Sequence, residues 1–462
     1  MLSFTDGSAS RREFLRVGSL SLGGLALPQL LAARAAAAQE GRPVRNKSVV
    51  FLFMHGGPPQ IETFDPKMGA PREIRSVTGE AKTAVPGMTF GGTLEKLARR
   101  AKRVSVVRSF VAGNGDHDIK PLVCADTLKA NLGSIYARVA GTNNPATGMP
   151  TNLALYPNAV DATTRTTTQN FGKFESTGLL GSAYAPFVPG AGGDAQKDMT
   201  LAIPRERLDD RRELLRRLDA LKRSADESGA VEGTERFREQ AYSVLLGSVA
   251  DAFDLTKEDP RVVEKYDTST LMRHDSISTK WNNHKNYLDH VKSLGKLMLM
   301  ARRLCEAGAG FVTVTTNFVW DFHADQNNAT VEEGMRYVGA PFDHAVSAFL
   351  DDLEARGLSD RILLVACGEM GRTPRINAKG GRDHWGKLAP LLLAGGGLRM
   401  GRVVGESSAD GSEPATEPVR VGNLVATVLH TLLDAGQVRL TSGLPDEVLR
   451  LVTQTDPIRE LV

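Results

Sequence analysis

Acidic, imidazole and guanidinium side chains gather directly after three apolar runs of the sequence. The stretches concerned are His55–Asp65, Asn317–His323, and Gly368–Pro374 with the nearby Gly381–Trp385. Mixed carboxylate and imidazole donors suit Zn, Mn or Fe, and a carboxylate can bridge two such ions. Arg372 and Arg382 add guanidinium groups, whose planar forks match the oxygens of a phosphate or sulfate group. The residue types therefore predict a metal or anion site.

The pairs Asp321 with His323 and Asp383 with His384 also have a structural interpretation. The first pair fits a surface turn beside a buried tryptophan, and the second fits a capping pair at the start of a helix. Taken alone, each pair leaves the two interpretations open. Their convergence with a third polar stretch at the ends of predicted strands favours the site.

Glu369 is harder to explain structurally. It follows a predicted buried strand, where an ionised carboxylate costs free energy unless it is paired or bound to a metal. Arg372 follows closely and is the alternative partner, in a buried salt bridge. Both interpretations, a metal ligand and an ion pair, stay open at this point.

His117 is the best secondary candidate among the remaining histidines. It lies in Gly113–Lys120, a glycine-rich loop that follows the apolar run Val104–Val107. The loop either approaches a substrate or forms a turn stabilised by its Asp and Asn side chains, and we favour the first interpretation. The three cysteines are dispersed and are expected in the core.

Five apolar runs bounded by turn residues are typical of strands buried on both faces of a sheet. They are Ser48–Met54, Val104–Val107, Phe311–Thr316, Ile362–Cys367 and Leu388–Ala394. Between them, Tyr287–Ala301 and Val338–Arg356 carry apolar residues at helical spacing. This alternation predicts an α/β fold with a mostly parallel central sheet and helices on both faces. In such sheets ligands bind beyond the carboxyl ends of the strands, where the polar stretches fall.

Residues 39–462 are predicted to form a single domain, since the chain is 41% apolar and long enough for one large core. Two regions depart from the alternation of strands and helices. Thr142–Asp198 is rich in Gly, Thr, Asn and Pro and is expected to run as a long ordered excursion over the sheet edge. Residues 205–286 are highly charged and begin with a leucine stripe at helical spacing, which predicts a helical cap inserted into the domain.

The first 38 residues have the layout of a signal peptide. Arg11 and Arg12 precede the apolar run Val17–Leu31 and an Ala-x-Ala cleavage pattern that ends at Ala38. The paired arginines are typical of a twin-arginine (Tat) signal and predict export to the periplasm, with an uncleaved anchor as the alternative. The whole chain carries 57 basic and 54 acidic residues, a balance that argues against a nucleic-acid binder. No later segment is apolar enough to predict a membrane span.

Several elements of the sequence form more specific motifs. They are Gly56–Lys67, Ala301–Gly308, Trp320–His323, Gly368–Pro374 and Gly381–Trp385. Together they resemble the DUF1501 family of exported bacterial proteins, which commonly begin with a Tat signal. The resemblance runs from about Asn46 to the C-terminus. It implies an alkaline phosphatase/sulfatase-like fold, in which an α/β sheet carries a metal site at the strand ends.

The resemblance also implies roles for individual residues. The implied metal ligands or close partners of ligands are Asp321, His323, Glu369, Asp383 and His384. Many relatives have Ser where this chain has Pro59, which leaves Thr63 as the nearest hydroxyl. No Cys-x-Pro-x-Arg sequence is present, so a sulfatase-type formylglycine nucleophile is not expected.

The first functional hypothesis is an exported metal-dependent hydrolase that acts on phosphate or sulfate esters of small molecules or polysaccharides. It uses a divalent ion (Zn, Mn, Fe or Ca), with Thr63 as candidate nucleophile and His117 as candidate general acid. Arg372 and Arg382 would stabilise the ester oxygens. The second hypothesis is a non-catalytic exported module that keeps the scaffold and docks a protein partner through its charged cap. A metal-dependent isomerase or a phosphoryl transferase acting between sugars is the third.

Overall fold

The computed structural model describes residues 43–189, 207 and 249–462. The predicted signal peptide, residues 1–38, lies outside the described residues, as does most of the first half of the predicted charged insertion. Among the described helices, none is both long enough and apolar enough to cross a membrane.

The described chain contains one large sheet and three two-stranded ribbons. Its strands, numbered in chain order, are β1 (Ser48–Phe53), β2 (Glu80–Lys82), β3 (Thr89–Gly91), β4 (Ser105–Val107), β5 (Phe110–Val111), β6 (Asn152–Leu155), β7 (Phe311–Thr315), β8 (Ile362–Cys367), β9 (Gly371–Arg372), β10 (His384–Trp385), β11 (Leu391–Gly395), β12 (Val403–Val404) and β13 (Val419–Arg420). The large sheet has the strand order β12-β4-β11-β8-β1-β7-β6. Only β11 runs opposite to the other described strands of this sheet, so the predicted mostly parallel sheet is confirmed.

Strand β1 lies in the middle of the sheet because its side chains are apolar on both faces. In the register, Phe51 pairs with Thr313 of β7 and with Val365 of β8. Successive side chains of a strand point to opposite faces. Accordingly, Leu52 packs in one hydrophobic core and Phe51 in the other.

Helices cover both faces of the sheet, as predicted. The α-helices of the described residues are Gln60–Thr63, Glu95–Ala98, Leu132–Ala140, Ala250–Phe253, Pro260–Tyr266, His284–Glu306, Val331–Gly334, Ala340–Ala355, Val421–Leu432, Ala435–Leu440 and Asp446–Gln454. His284–Glu306 and Ala340–Ala355 pack in the core that contains Leu52, whereas Leu132–Ala140 and Val421–Leu432 pack in the core that contains Phe51.

The region predicted as an excursion over the sheet edge also contributes a strand. Its described part supplies β6, which pairs in parallel with β7 and forms one edge of the large sheet. The run Leu388–Ala394 contains a buried strand as predicted, but the strand begins at Leu391 and is the antiparallel β11. An apolar run indicates burial on both faces and carries no information about strand direction.

The described part of the predicted charged insertion, residues 249–286, contains two short helices, Ala250–Phe253 and Pro260–Tyr266. A buried ion-pair network attaches it to the helices over the sheet. Arg302 donates from NH2 to Glu258 at 2.6 Å and from Nε to Asp352 at 2.8 Å. This part of the insertion therefore belongs to the helical layer.

Candidate metal centre

Four side chains bring their donor atoms together at the carboxyl ends of the parallel strands. His117, Asp321, His323 and His384 each offer one ligand atom, and these atoms all lie within 4.8 Å of one another. The four residues sit in the loop after β5, in the loop after β7, and on β10. These segments follow β4, β7 and β8 of the large sheet, with the short strands β5 and β9 in between. The three strands run in the same direction and end at the same edge, so the segments that follow them meet there.

Asp321 is the centre of this cluster. Its Oδ1 atom faces the Nε2 atoms of three histidines, at 2.7 Å for His323, 3.4 Å for His384 and 3.6 Å for His117. Its Oδ2 atom accepts a hydrogen bond from Asn328 at 2.9 Å. Burial alone would raise the pKa of Asp321, but the Arg372 guanidinium and the three histidines outweigh burial and hold that pKa well below its usual value. Asp321 is therefore an ionised carboxylate.

Glu369, predicted as a ligand, lies behind His117 and is not one of the four converging residues. Its Oε1 atom lies 2.8 Å from Nδ1 of His117 and accepts from the Gly56 backbone N–H at 3.0 Å. With Nδ1 bonded to a carboxylate, the Nε2 lone pair of His117 can face the cluster. Burial lowers the pKa of His117, but the carboxylates of Asp321 and Glu369 outweigh burial and raise it. Glu369 thus orients a donor, and His117, predicted as a general acid, takes a ligand position.

Asp383 was also predicted as a ligand, and it too lies behind a histidine. Its Oδ1 atom is 3.5 Å from Nδ1 of His323, and its side chain is 57% exposed, so the contact is weak. Asn377 connects the two residues by donating to the His323 carbonyl at 2.9 Å and to Asp383 at 3.1 Å. Two of the three histidines therefore have a carboxylate on the ring nitrogen that faces away from the cluster.

Arg372, predicted to contact ester oxygens, is fully buried, and its guanidinium binds other groups of the protein. Its Nε donates to the Gly57 carbonyl at 2.8 Å, and its NH2 donates to the Gly56 carbonyl and to Asp321 Oδ1 at 2.5 Å. The Gln60 side-chain oxygen holds the Arg372 backbone N–H at 2.9 Å. Arg372 therefore joins the turn after β1 to Asp321, and few of its N–H groups remain for a substrate.

Arg382 also departs from its predicted role at the ester oxygens. It forms a fully buried ion pair with Glu62, with NH2 2.8 Å from Oε1, and it donates further hydrogen bonds to the carbonyls of Pro374 and Ile74. The Ser76 hydroxyl completes the Glu62 shell at 2.7 Å. Because every nitrogen of the guanidinium has a protein acceptor, Arg382 is a structural residue.

Thr63, the predicted nucleophile, lies outside the cluster. It is fully buried, and its hydroxyl donates to the Pro59 carbonyl at 2.8 Å within the short helix Gln60–Thr63. A hydroxyl can donate only one hydrogen bond, and this one is used locally. The structure therefore shows the Thr63 hydroxyl bonded within its own helix, with no hydrogen bond to the four donors.

The turn after β1 packs against the loop that carries Asp321. Gly56 has φ +112°, and a Cβ on it would lie 2.7 Å from the Trp320 backbone nitrogen, so only glycine lets this turn approach the loop that carries Asp321. His55 precedes it and is almost completely buried, with no hydrogen-bond partner among the described residues for either ring nitrogen. Burial lowers the pKa of His55 to about 4, which keeps the imidazole neutral.

The donor set fits a divalent transition metal. A tetrahedral site with ligand distances of about 2.1 Å has ligand–ligand separations of about 3.4 Å. The distances of 3.4 and 3.6 Å from Asp321 Oδ1 to His384 and His117 are close to this value, whereas the 2.7 Å to His323 is shorter, so His323 would move outward to bind the same ion. Three imidazoles and one carboxylate suit Zn, Mn or Fe, whereas Ca, which we also predicted, prefers a shell made of oxygen ligands. We therefore retain Zn, Mn or Fe.

Asn328 and Asn377 were not singled out from the sequence. Asn328 binds Asp321, and Asn377 binds the His323 carbonyl and Asp383. The available signal was polar residues that closely follow a ligand pair, as in the run 325–328 after Asp321. A run of this kind is equally typical of a surface turn, so only the structure assigns it to the site.

The fold and the four converging donors define an α/β protein with a candidate metal centre at the carboxyl ends of its parallel strands. The chain belongs to the DUF1501 family, described as "Protein of unknown function (DUF1501)", whose sequence profile matches residues 46–462. The resemblance seen in the sequence motifs is thereby confirmed. Among curated proteins, none matches this chain in sequence.

Several solved structures are similar to this chain at low identity. The PsFucS1 sulfatase from Pseudoalteromonas sp. has a TM-score of 0.34 and 9% identity, and the match covers 87% of this chain and 71% of that chain. The phosphonate monoester hydrolase SpPMH from Silicibacter pomeroyi has a TM-score of 0.33 and 10% identity, covering 83% and 73%. The phosphonate monoester hydrolase of Agrobacterium radiobacter has a TM-score of 0.29 and 11% identity, covering 84% and 74%.

Proposed function

We propose that this protein is an exported metal-dependent hydrolase of phosphate or sulfate esters. One observation carries the proposal: the Nε2 atoms of His117, His323 and His384 converge on an ionised Asp321 oxygen. A divalent ion held there would supply the positive charge that polarises ester oxygens and acidifies water. Export is proposed from the paired arginines Arg11 and Arg12 and the apolar run that follows them.

The protein's own residues have distinct tasks in this proposal. Asp321 supplies the permanent negative charge, and Arg372 holds that carboxylate in place. Glu369 fixes the ring of His117 by accepting a hydrogen bond from Nδ1. His384 is the most exposed of the four donors, at 33%, so a substrate approaches from its side. Since the hydroxyl of Thr63 donates to the Pro59 carbonyl within its own helix turn, water is the nucleophile in this proposal.

The first experiment is elemental analysis of protein purified without chelators, followed by a panel of phosphate and sulfate esters. We expect about one Zn, Mn or Fe ion per chain, because the four donors form one tetrahedral set. Turnover should stop with a chelator and return when the same metal is added.

The matched variants are His323→Ala and His274→Ala. His323 is one of the four donors, whereas His274 is an exposed histidine in a short turn of the described insertion. We expect the first variant to lose both metal and turnover and the second to keep both. Wild-type protein without metal, or equal metal content in the two variants, would contradict the proposal.

A further inference from the structure

Two phenylalanine rings stand beside the candidate metal centre. Phe171 and Phe318 are stacked on each other, with ring centroids 4.6 Å apart and an interplanar angle of 23°. The His117 ring lies 4.6 Å from Phe318 and 5.0 Å from Phe171, measured between centroids. Neither phenylalanine is fully buried. A flat apolar wall therefore borders one of the four donors.

The backbone holds this wall in an unfavourable conformation. Phe318 has φ +49°, in the left-handed region, where a bulky residue is strained. Its neighbour Asn317 is buried, and both polar atoms of its side chain bind the backbone of the segment that precedes Phe171. The Asn317 amide donates to the Thr166 carbonyl at 2.9 Å and its oxygen accepts from the Thr168 N–H at 3.1 Å. Strain that the surrounding structure maintains beside a site points to a function for the side chain it places.

The wall and the exposed donors leave a defined approach to the centre. The side chain of His117, beside the phenylalanines, is 11% exposed, whereas those of His323 and His384 are 21% and 33% exposed. A phosphate or sulfate group that enters from the side of His384 meets the donors first. The His117 and His384 rings lie 4.2 Å apart, measured between centroids, so the phenylalanines beside His117 border the same approach and are within reach of the group esterified to the anion.

We propose that Phe171 and Phe318 form a subsite that binds a flat apolar ring face of the esterified group. The inference rests on the proposed function and adds the substrate class: esters of an aryl alcohol, or of a sugar whose apolar ring face stacks on the phenylalanines. Short aliphatic esters lack such a face. The wall therefore selects the substrate, while the four donors bind its anionic group.

The test measures binding of phosphonates, which have no ester bond to hydrolyse, to the metal-containing protein by calorimetry. The probes are methylphosphonate, phenylphosphonate and a glucosyl phosphonate. The corresponding sulfonates are measured in parallel as mimics of sulfate esters. We expect at least one ring-bearing probe to bind about ten-fold more tightly than methylphosphonate, as stacking on aromatic rings provides. Tighter binding of the phenyl probe identifies an aryl ester, and tighter binding of the glucosyl probe identifies a sugar ester.

The variants separate selection from folding. Phe171→Ala and Phe318→Ala should remove the preference for the ring-bearing probe, while their metal content and affinity for methylphosphonate stay unchanged. Phe174→Leu is the matched control, because Phe174 is buried behind the wall against Phe53 and His55. This control variant should keep the preference for the ring-bearing probe even if it is less stable than the wild type. Metal content, measured first on each variant, shows that the centre is intact.

The outcomes distinguish the two proposals. Failure of both methylphosphonate and methanesulfonate to bind metal-containing wild-type protein contradicts the proposed function itself. Binding of methylphosphonate with no tighter binding of either ring-bearing probe overturns the subsite and leaves the proposed function standing. A ring preference that survives both alanine variants with intact metal content also overturns the subsite.

Discussion

Two buried charged centres lie side by side at the carboxyl ends of the strands, one around Asp321 and the other around the ion pair of Arg382 with Glu62. In the second centre each charged group has partners of its own: Glu62 accepts from Arg382 and Ser76, and Arg382 also donates to backbone carbonyls. In the first, three imidazoles and Arg372 converge on a single Asp321 oxygen. We therefore interpret the Arg382 centre as structural and the Asp321 centre as the proposed metal site.

The Arg382 centre should give the largest effect on folding. Arg382→Met leaves the Glu62 carboxylate fully buried without its cation, so we expect the free energy of unfolding to fall by about 3–5 kcal/mol. Urea unfolding measures this change. The double variant Glu62→Leu/Arg382→Met removes both charges and should recover part of the loss. A loss below about 1 kcal/mol for the single variant would show that this centre is not structural.

A substitution at the Asp321 centre should weaken metal binding strongly and change stability little. His384→Ala removes a partly exposed donor, so we expect the unfolding free energy of the metal-free protein to change by less than about 1 kcal/mol. The metal dissociation constant should rise more than about 100-fold, beyond the range typical of residues that only support a ligand. Competition with a chelating dye measures the constant. Equal metal affinity in variant and wild type would remove the distinction between the centres.

Glu369→Gln tests the residue that connects the turn after β1 to His117. The amide is uncharged and supports the His117 ring less strongly, so we expect the metal to bind about 10–100-fold more weakly. Glu413→Gln is the control, because this side chain is exposed and pairs only with Lys387 among the described residues. If both variants keep wild-type affinity, Glu369 does not orient a ligand.

Asp383→Asn should have the smallest effect. Its contact with His323 is 3.5 Å long and its side chain is 57% exposed, so we expect a loss of metal affinity below about ten-fold. The same dye competition applies. A loss as large as that of His384→Ala would make Asp383 a direct ligand and would require His323 to turn.

Local sequence patterns predicted much of the sheet. Strands β1, β7 and β8 were predicted because each is a short run rich in apolar and β-branched residues, which is typical of a strand buried on both faces. Strand β6 was missed because its four residues lie in a region rich in turn formers. The direction of β11 was not predicted, since direction depends on the route of the chain between strands and not on the residues within them.

The sequence by itself determined which residue types stand at the strand ends, and therefore that carboxylates and imidazoles would gather there. Only the tertiary structure decided their roles: His117 joins the donors, Glu369 lies behind it, and Arg382 pairs with Glu62 far away in the chain. The physical reason is how far apart in the chain the interacting residues lie. Burial and strand formation follow from neighbouring residues, whereas coordination and ion pairing depend on distances of a few ångströms between distant segments, which the packing of the whole chain sets.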